Sequence, residues 1–183
     1  MKTIDIFPWD DHFNTGIEVI DQQHRKLVEI INELATKVVY STKIEDLTKI
    51  FDELIEYTLY HFATEEEIWN TYIPNDLLKQ QHHQGHTDFV EKIKSFQIEQ
   101  HDKSLDLLAD EALSFLTNWL AVHILDVDRY MAHVVSGIMK GFNLTEAKHY
   151  AKEQMSGSSR ILINIILSIY STLSTNTIHL LHE

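Results

Sequence analysis

No residue of the 183 is a cysteine, which removes disulfides, thiolate metal sites and cysteine nucleophiles together. Proline and glycine are nearly as scarce, at 2 and 5 positions, so turns are few and long helices are expected. Basic residues are outnumbered, 15 against 28 acidic, for a formal net charge of −13. A field of that sign repels nucleic acid and anionic lipid, and neither is an expected partner. Strand-period alternation, internal repeats and a catalytic output motif are missing as well. The segment from Met1 to Trp9 lacks the apolar core of a signal peptide, and a cytoplasmic location is the expectation. What remains, 44% hydrophobic and 23% charged, is an ordinary globular composition. The length allows one substantial core with roughly 30–40 residues left over.

Helical periodicity fills most of that length. Residues 1–16, punctuated by Pro8, Trp9 and Gly16, read as an irregular arm. From Ile17 the positions Ile20, His24, Leu27, Ile31 and Leu34 recur at three- and four-residue steps, one face of a helix. Ser41 and Thr42 end that helix or cap the next, which runs from about Ile44 to Ile68. Pro74 breaks the pattern, Asn75-Asp76 caps a third helix to about Gln100, and a fourth spans Leu105 to about His133. Short joints between four amphipathic stretches predict an all-α protein, an antiparallel up-down four-helix bundle occupying residues 1–143.

Residues 144–183 read as a helical tail or linker. Leu144–Met155 is a modest helix, Ser156 to Ser159 a break, and Ile161–Leu181 carries no acidic or basic residue. Asn164, Asn176 and a scatter of Ser and Thr argue against membrane insertion of that run. Leu162, Ile166, Ile169, Leu173 and Leu180, with Asn176 among them, fit a short coiled-coil seam, and a homodimer through the tail is expected from it; the alternative is that residues 144–183 pack on the bundle as extra helices.

The chemistry lies in histidines. His61 and Glu65 are four apart, as are His82 and His86, so each pair projects from one helix face. His24 falls on the inward face of the first helix, and His123 lies among Trp119, Leu120 and Ile124. One donor set per helix, all facing inward, is how bundle cores build dinuclear sites, and imidazole with carboxylate suits iron, zinc or manganese. A lone histidine on an apolar face is usually only a hydrogen-bonded core residue, and His12, His83, His101, His133, His149, His179 and His182 read as surface or linker positions. The fourth helix is ambiguous. Asp128 is five residues from His123, roughly 140° away around a regular helix, whereas Asp126 at three residues is the better choice on spacing. A local bulge would be needed to turn Asp128 inward.

The ordered run H…HxxxE…HxxxH…HxxxxD over about residues 9–135 resembles the hemerythrin family, specifically the bacterial hemerythrin domains. Matched position by position, that resemblance implies metal ligation by His24, His61, Glu65, His82, His86, His123 and Asp128, and so prefers Asp128 to Asp126. It implies two iron ions with an oxo or hydroxo bridge, one held by His82, His86 and His123, the other by His24 and His61. Glu65 and Asp128 would bridge them. It also implies dioxygen as the ligand. Counting donors, three histidines and three bridges fill one iron, while two histidines leave the other an open position. Five neutral imidazoles donate less negative charge than the four carboxylates of diiron oxidases, so binding is expected rather than catalysis. Ile20, Leu27, Phe62, Trp119, Leu120 and Ile124 are placed by helical spacing to line the oxygen pocket. The tail favours an oxygen or redox sensor relaying to a signalling output domain, beyond Glu183 or on another chain. A stand-alone carrier or storage protein is the alternative, and a diiron peroxidase or oxidase a more distant one.

Overall fold

The four amphipathic stretches of residues 17–133 become helices in the computed structural model, which describes residues 4–40, 43–156, 160, 162–164, 166 and 167. The chain is all-α, and no strand occurs among the described residues. Helices α1 (Glu18–Tyr40), α2 (Ile44–Tyr72) and α3 (Leu77–Glu99) are three columns of a bundle. The fourth column is α4 (Leu105–Val122), a π turn (His123–Asp128) and α5 (Arg129–Met139) in one run. α1 packs on α2 and α4, and α3 packs on α2 and α4, which closes the ring of an up-down bundle. A further helix, α6 (Leu144–Gln154), folds back on α5. Residues 160, 162–164, 166 and 167 are again helical.

The helix starts follow their capping chemistry. Asp76 accepts from the Leu78 N–H at 2.9 Å and Ser104 from that of Leu107 at 3.4 Å, each satisfying an otherwise orphaned first-turn donor. Asn143 and Glu146 form a reciprocal capping box that starts α6. Ser41 and Thr42, read as caps, lie outside the described residues. The arm is irregular apart from one short turn, Asp11–Phe13, yet it is fastened. Asn32 accepts from the N–H groups of Ile6 and Phe7 at 3.1 and 3.0 Å, and Asp21 accepts from Thr15 and Gly16. Phe7 and Phe13 are thereby buried in the bundle core.

The core is in two parts. The larger holds Leu27, Leu34, Phe51, Leu54, Ile93, Phe96, Leu113 and Leu116. The smaller, at the other end, holds Ile20, Trp69, Ile73, Met131, Val134 and Val135, with Ala147 and Ala151 of α6. Donors lie where the two parts meet: His24 between Ile20 and Leu27 on α1, and Glu65 between Phe62 and Trp69 on α2.

The described part of the tail docks on the bundle. A Cβ on Gly137 would stand 3.0 Å from both Cα and Cβ of Ala147, so the α5–α6 approach depends on that glycine. α5 ends in a Schellman motif: Gly141, at φ 93°, lets the Phe142 N–H reach the Gly137 carbonyl. Lys148 of α6 pairs with Asp76, and Met155 and Ile163 join the larger core. Of the expected seam, Leu162 is 56% exposed, Ile166 packs partly on the bundle, and Ile169, Leu173, Asn176 and Leu180 lie outside the described residues. No helix of the described residues is long and apolar enough to cross a membrane. Gly137→Ala is expected to cost about 1–3 kcal/mol in chemical unfolding through overpacking. Gly85→Ala, mid-helix with nothing within 4 Å of the added carbon, should instead stabilise by about 0.5–1 kcal/mol. Equal effects at the two positions would show the α5–α6 contact to be loose.

Candidate metal centre

Seven buried side chains from all four columns converge between the two core parts: His24, His61, Glu65, His82, His86, His123 and Asp128. They form two groups of donor atoms lying within 4.8 Å of one another. One is Glu65, His82, His86 and His123; the other is His24, His61, Glu65 and Asp128. The histidines thus divide three and two, and Glu65 belongs to both groups. Its Oε2 is 3.1 Å from His86 Nε2 and 3.5 Å from His123 Nε2, while Oε1 is 3.4 Å from His61 Nε2. Asp128 also faces both sides, with Oδ1 2.8 Å from His82 Nε2 and Oδ2 3.1 Å from His24 Nε2.

The π turn is what brings Asp128 in. The Arg129 N–H reaches the Ile124 carbonyl five residues back, and i→i+5 bonding widens the turn by one residue. Positions five apart then share a side, as positions four apart do in an α-helix. Asp128 is fully buried and Asp126 points to solvent. The spacing preference for Asp126 is therefore corrected: it assumed a regular helix, and the helix here is not regular.

The donors fit a pair of cations. Among the described residues, His24 Nδ1 and Nε2, His61 Nε2, both Glu65 oxygens, His82 Nδ1 and Asp128 Oδ2 make no hydrogen bond. His24 Nε2 and Asp128 Oδ2 are close without hydrogen-bond geometry. Buried polar atoms left unpaired are costly, and carboxylates most of all. A cation between them relieves that cost, and two carboxylates each facing two groups of imidazole nitrogens suit a dinuclear centre.

Protonation divides the histidines: His61 and His86 are lowered, whereas His24 and His82 are raised by the carboxylates against the effect of burial. Burial pushes His61 down to about 3 and also lowers His86, keeping both imidazoles neutral. Burial and the charge of Glu65 would raise Asp128, but His123, His24 and His82 outweigh them and bring it to about 2. Glu65 is likewise held well below the usual carboxylate range, its burial outweighed by His61, His123, His24 and His86. For His24, burial opposes charge, yet Asp128 and Glu65 prevail and raise it to about 9. With no metal bound, a proton on His24 partly balances the two carboxylates.

Further side chains orient the donors. His61 Nδ1 donates to Gln23 Oε1 at 2.9 Å, and the Gln23 amide is fixed by Thr64 at 3.0 Å, leaving His61 Nε2 free to face the centre. His86 Nδ1 is 3.4 Å from Glu66, which also holds the exposed His83 at 2.7 Å. Phe62 stacks on His86 with ring centroids 3.6 Å apart, Trp119 stacks on His123 at 4.2 Å, and Trp69 meets His82 edge-on at 5.8 Å. Of the expected pocket residues, Ile20, Leu27, Phe62, Leu120 and Ile124 are buried and Trp119 is half-buried. Gln23, Glu66 and Trp69 were not anticipated. Gln23 adjoins His24 in sequence but serves His61 on another helix, so periodicity along α1 carries no sign of it.

Residues 15–134 match the family described as the Hemerythrin HHE cation binding domain. The chain is 37% identical over 127 residues to a bacteriohemerythrin of Clostridium acetobutylicum, covering 68% of this chain and 97% of that protein. A bacteriohemerythrin of Stenotrophomonas maltophilia is 30% identical over 149 residues, 81% of this chain and 89% of its own length. A myohemerythrin of Theromyzon tessulatum is 27% identical over 122 residues, 67% and 88% of the two chains. With four helical columns around a buried histidine–carboxylate cluster, the chain belongs to the hemerythrin family.

Proposed function

We propose that this protein is a non-heme diiron protein that binds dioxygen reversibly. His82, His86 and His123 would hold one iron, His24 and His61 the other, with Glu65 and Asp128 serving both. The observation that carries this reading is Glu65 and Asp128, buried, ionised and each within reach of both histidine groups. When bound, two ferrous ions supply the two electrons that dioxygen takes up. The chain does the rest. The two-histidine group has one nitrogen fewer, so a metal held by His24 and His61 would keep the open position. Ile20 and Leu27 flank His24 by one helical turn on its own face, and Phe62, Leu120 and Ile124 add buried apolar surface that excludes water. Trp119, stacked on His123, closes the three-histidine side. Gln23 holds the proton of His61 away from the metal-facing nitrogen.

The visible spectrum of the iron-loaded protein tests the reading, reduced and then exposed to oxygen. A charge-transfer band that appears with oxygen and is lost on its removal is expected; an irreversible change, or none, would overturn reversible binding. Asp126→Ala should keep the iron content and the band, and Asp128→Ala should lose both. The opposite pattern would sink the assignment of Asp128.

We read the chain further as a sensor domain, residues 1–143, with 144–183 as its relay to an output. His123 and Asp128 stand on the column that leads through α5 to α6, so a shift of those donors is transmitted to the docked tail. A dimer through the tail then aligns two outputs, and the exposed Leu162 is in keeping with it. Sedimentation of oxygenated and reduced protein separates this from a carrier, which stays in one oligomeric state throughout.

A further inference from the structure

Beside the metal centre a cleft of about 780 Å³ opens between α3, the fourth column and the residues that follow α5. We propose that this cleft is a binding site for one small organic anion with an apolar body.

Its volume lies within the roughly 300–1,000 Å³ usual for small-molecule sites. The outer wall is built by Lys152, Met155, Ser156 and Arg160, beyond the 15–134 region that matches the family. The site therefore depends on the docked tail as well as on the bundle. Leu78, Trp119, Met131 and Met155 give it apolar surface, and the two thioethers adapt to irregular shapes.

Charge sets the sign of the ligand. Lys152 and Arg160 are exposed at the rim, and among the described residues neither has an ion-pair or hydrogen-bond partner. Neighbouring lysines differ: Lys148 pairs with Asp76, and Lys140 lies against Tyr150. Two uncommitted cations lining one cleft are unexpected in a chain of net charge −13. The acid in the lining is Asp126, one carboxylate against two cations. Attraction therefore favours a single negative head on Lys152 and Arg160 with an apolar body beneath it.

The inner end reaches the metal centre. Among the described residues His82 and His123 belong to the lining, while His24 and His61 do not. A ligand in the cleft therefore lies on the three-histidine side and does not compete for the open position.

The test uses the full chain, iron-free and iron-loaded, so that failure of the iron assignment leaves the result readable. The reporter is 8-anilinonaphthalene-1-sulfonate, by its own fluorescence and by quenching of tryptophan, and the competitors are decanoate, decylammonium and decanol. One site per chain is expected, with decanoate displacing the reporter at least tenfold more effectively than either competitor. Lys152→Glu with Arg160→Glu should weaken decanoate at least tenfold with helicity and melting temperature unchanged. Gln81→Trp, which fills the cleft from α3, should block reporter and decanoate alike. Equal binding of the cationic or neutral competitor, several weak sites, or full affinity in the charge-reversed protein would each overturn the proposal.

Discussion

Glu65→Ala is expected to strip the protein of both metal ions, with iron content falling from about two per chain to well below one. Among the described residues no other side chain has the same reach. Its two oxygens lie between 3.1 and 3.7 Å from nitrogens of His86, His123, His82, His61 and His24, so its loss removes a donor from each group. It also removes one of the two buried negative charges that offset the cations. His61→Ala is the matched comparison, because that imidazole belongs to one group alone; it should leave iron content near one per chain. Far-ultraviolet circular dichroism distinguishes loss of metal from loss of fold. A Glu65→Ala protein that keeps a full complement of iron would refute the shared-carboxylate arrangement.

Metal removal should have the second large effect. Binding stabilises the folded state by about 2.7 kcal/mol for each ion held at a hundredfold excess over its dissociation constant. For a chain of this size two such ions correspond to a fall in melting temperature of roughly 10–20 °C on chelation. Protons move in the opposite direction. His24 is raised to about 9, hence protonated at pH 7 in the metal-free protein, and it must be neutral to act as a ligand. Metal binding at pH 7 should therefore release at least one proton per chain. The sign for the metal-free protein follows from the same shift: the stabilisation from charged His24 is present below about 6.5 and lost as pH rises through about 9. Calorimetry in buffers of differing ionisation enthalpy measures the release. A zero proton count would show that His24 is not protonated beside Asp128 and Glu65.

Much of the bundle was legible because its signals are local. The start at Leu105 and the cap at Asp76 follow from side chains adjacent in sequence, and the pairs His61/Glu65 and His82/His86 follow from helical spacing alone. Asp128 was not legible in that way. Nothing in H-I-L-D-V-D announces a π turn, because the i→i+5 ladder is held by packing around the cluster, and only the family pattern pointed to the right carboxylate. Gln23 and Glu66 escaped because each orients a histidine on a different helix. The docking of α6 was open in the sequence as the alternative to a free seam: Gly137, Ala147 and Ala151 meet through small residues, which leave almost no hydrophobic signature, whereas the larger apolar residues after them favoured the seam.

The division of the apolar core has a consequence for cooperativity. A continuous core makes a domain unfold as one unit; here a polar layer of seven side chains separates the Trp69 end from the Phe51 end. Metal ions tying all four columns together at that layer join the two ends into a single folding unit. Without them each end rests on its own contacts, and the smaller one, built partly from α6, becomes the first to open. Loss of metal then loosens the end on which α6 is seated through Ala147 and Ala151, while the larger core keeps its hold on Met155 and Ile163.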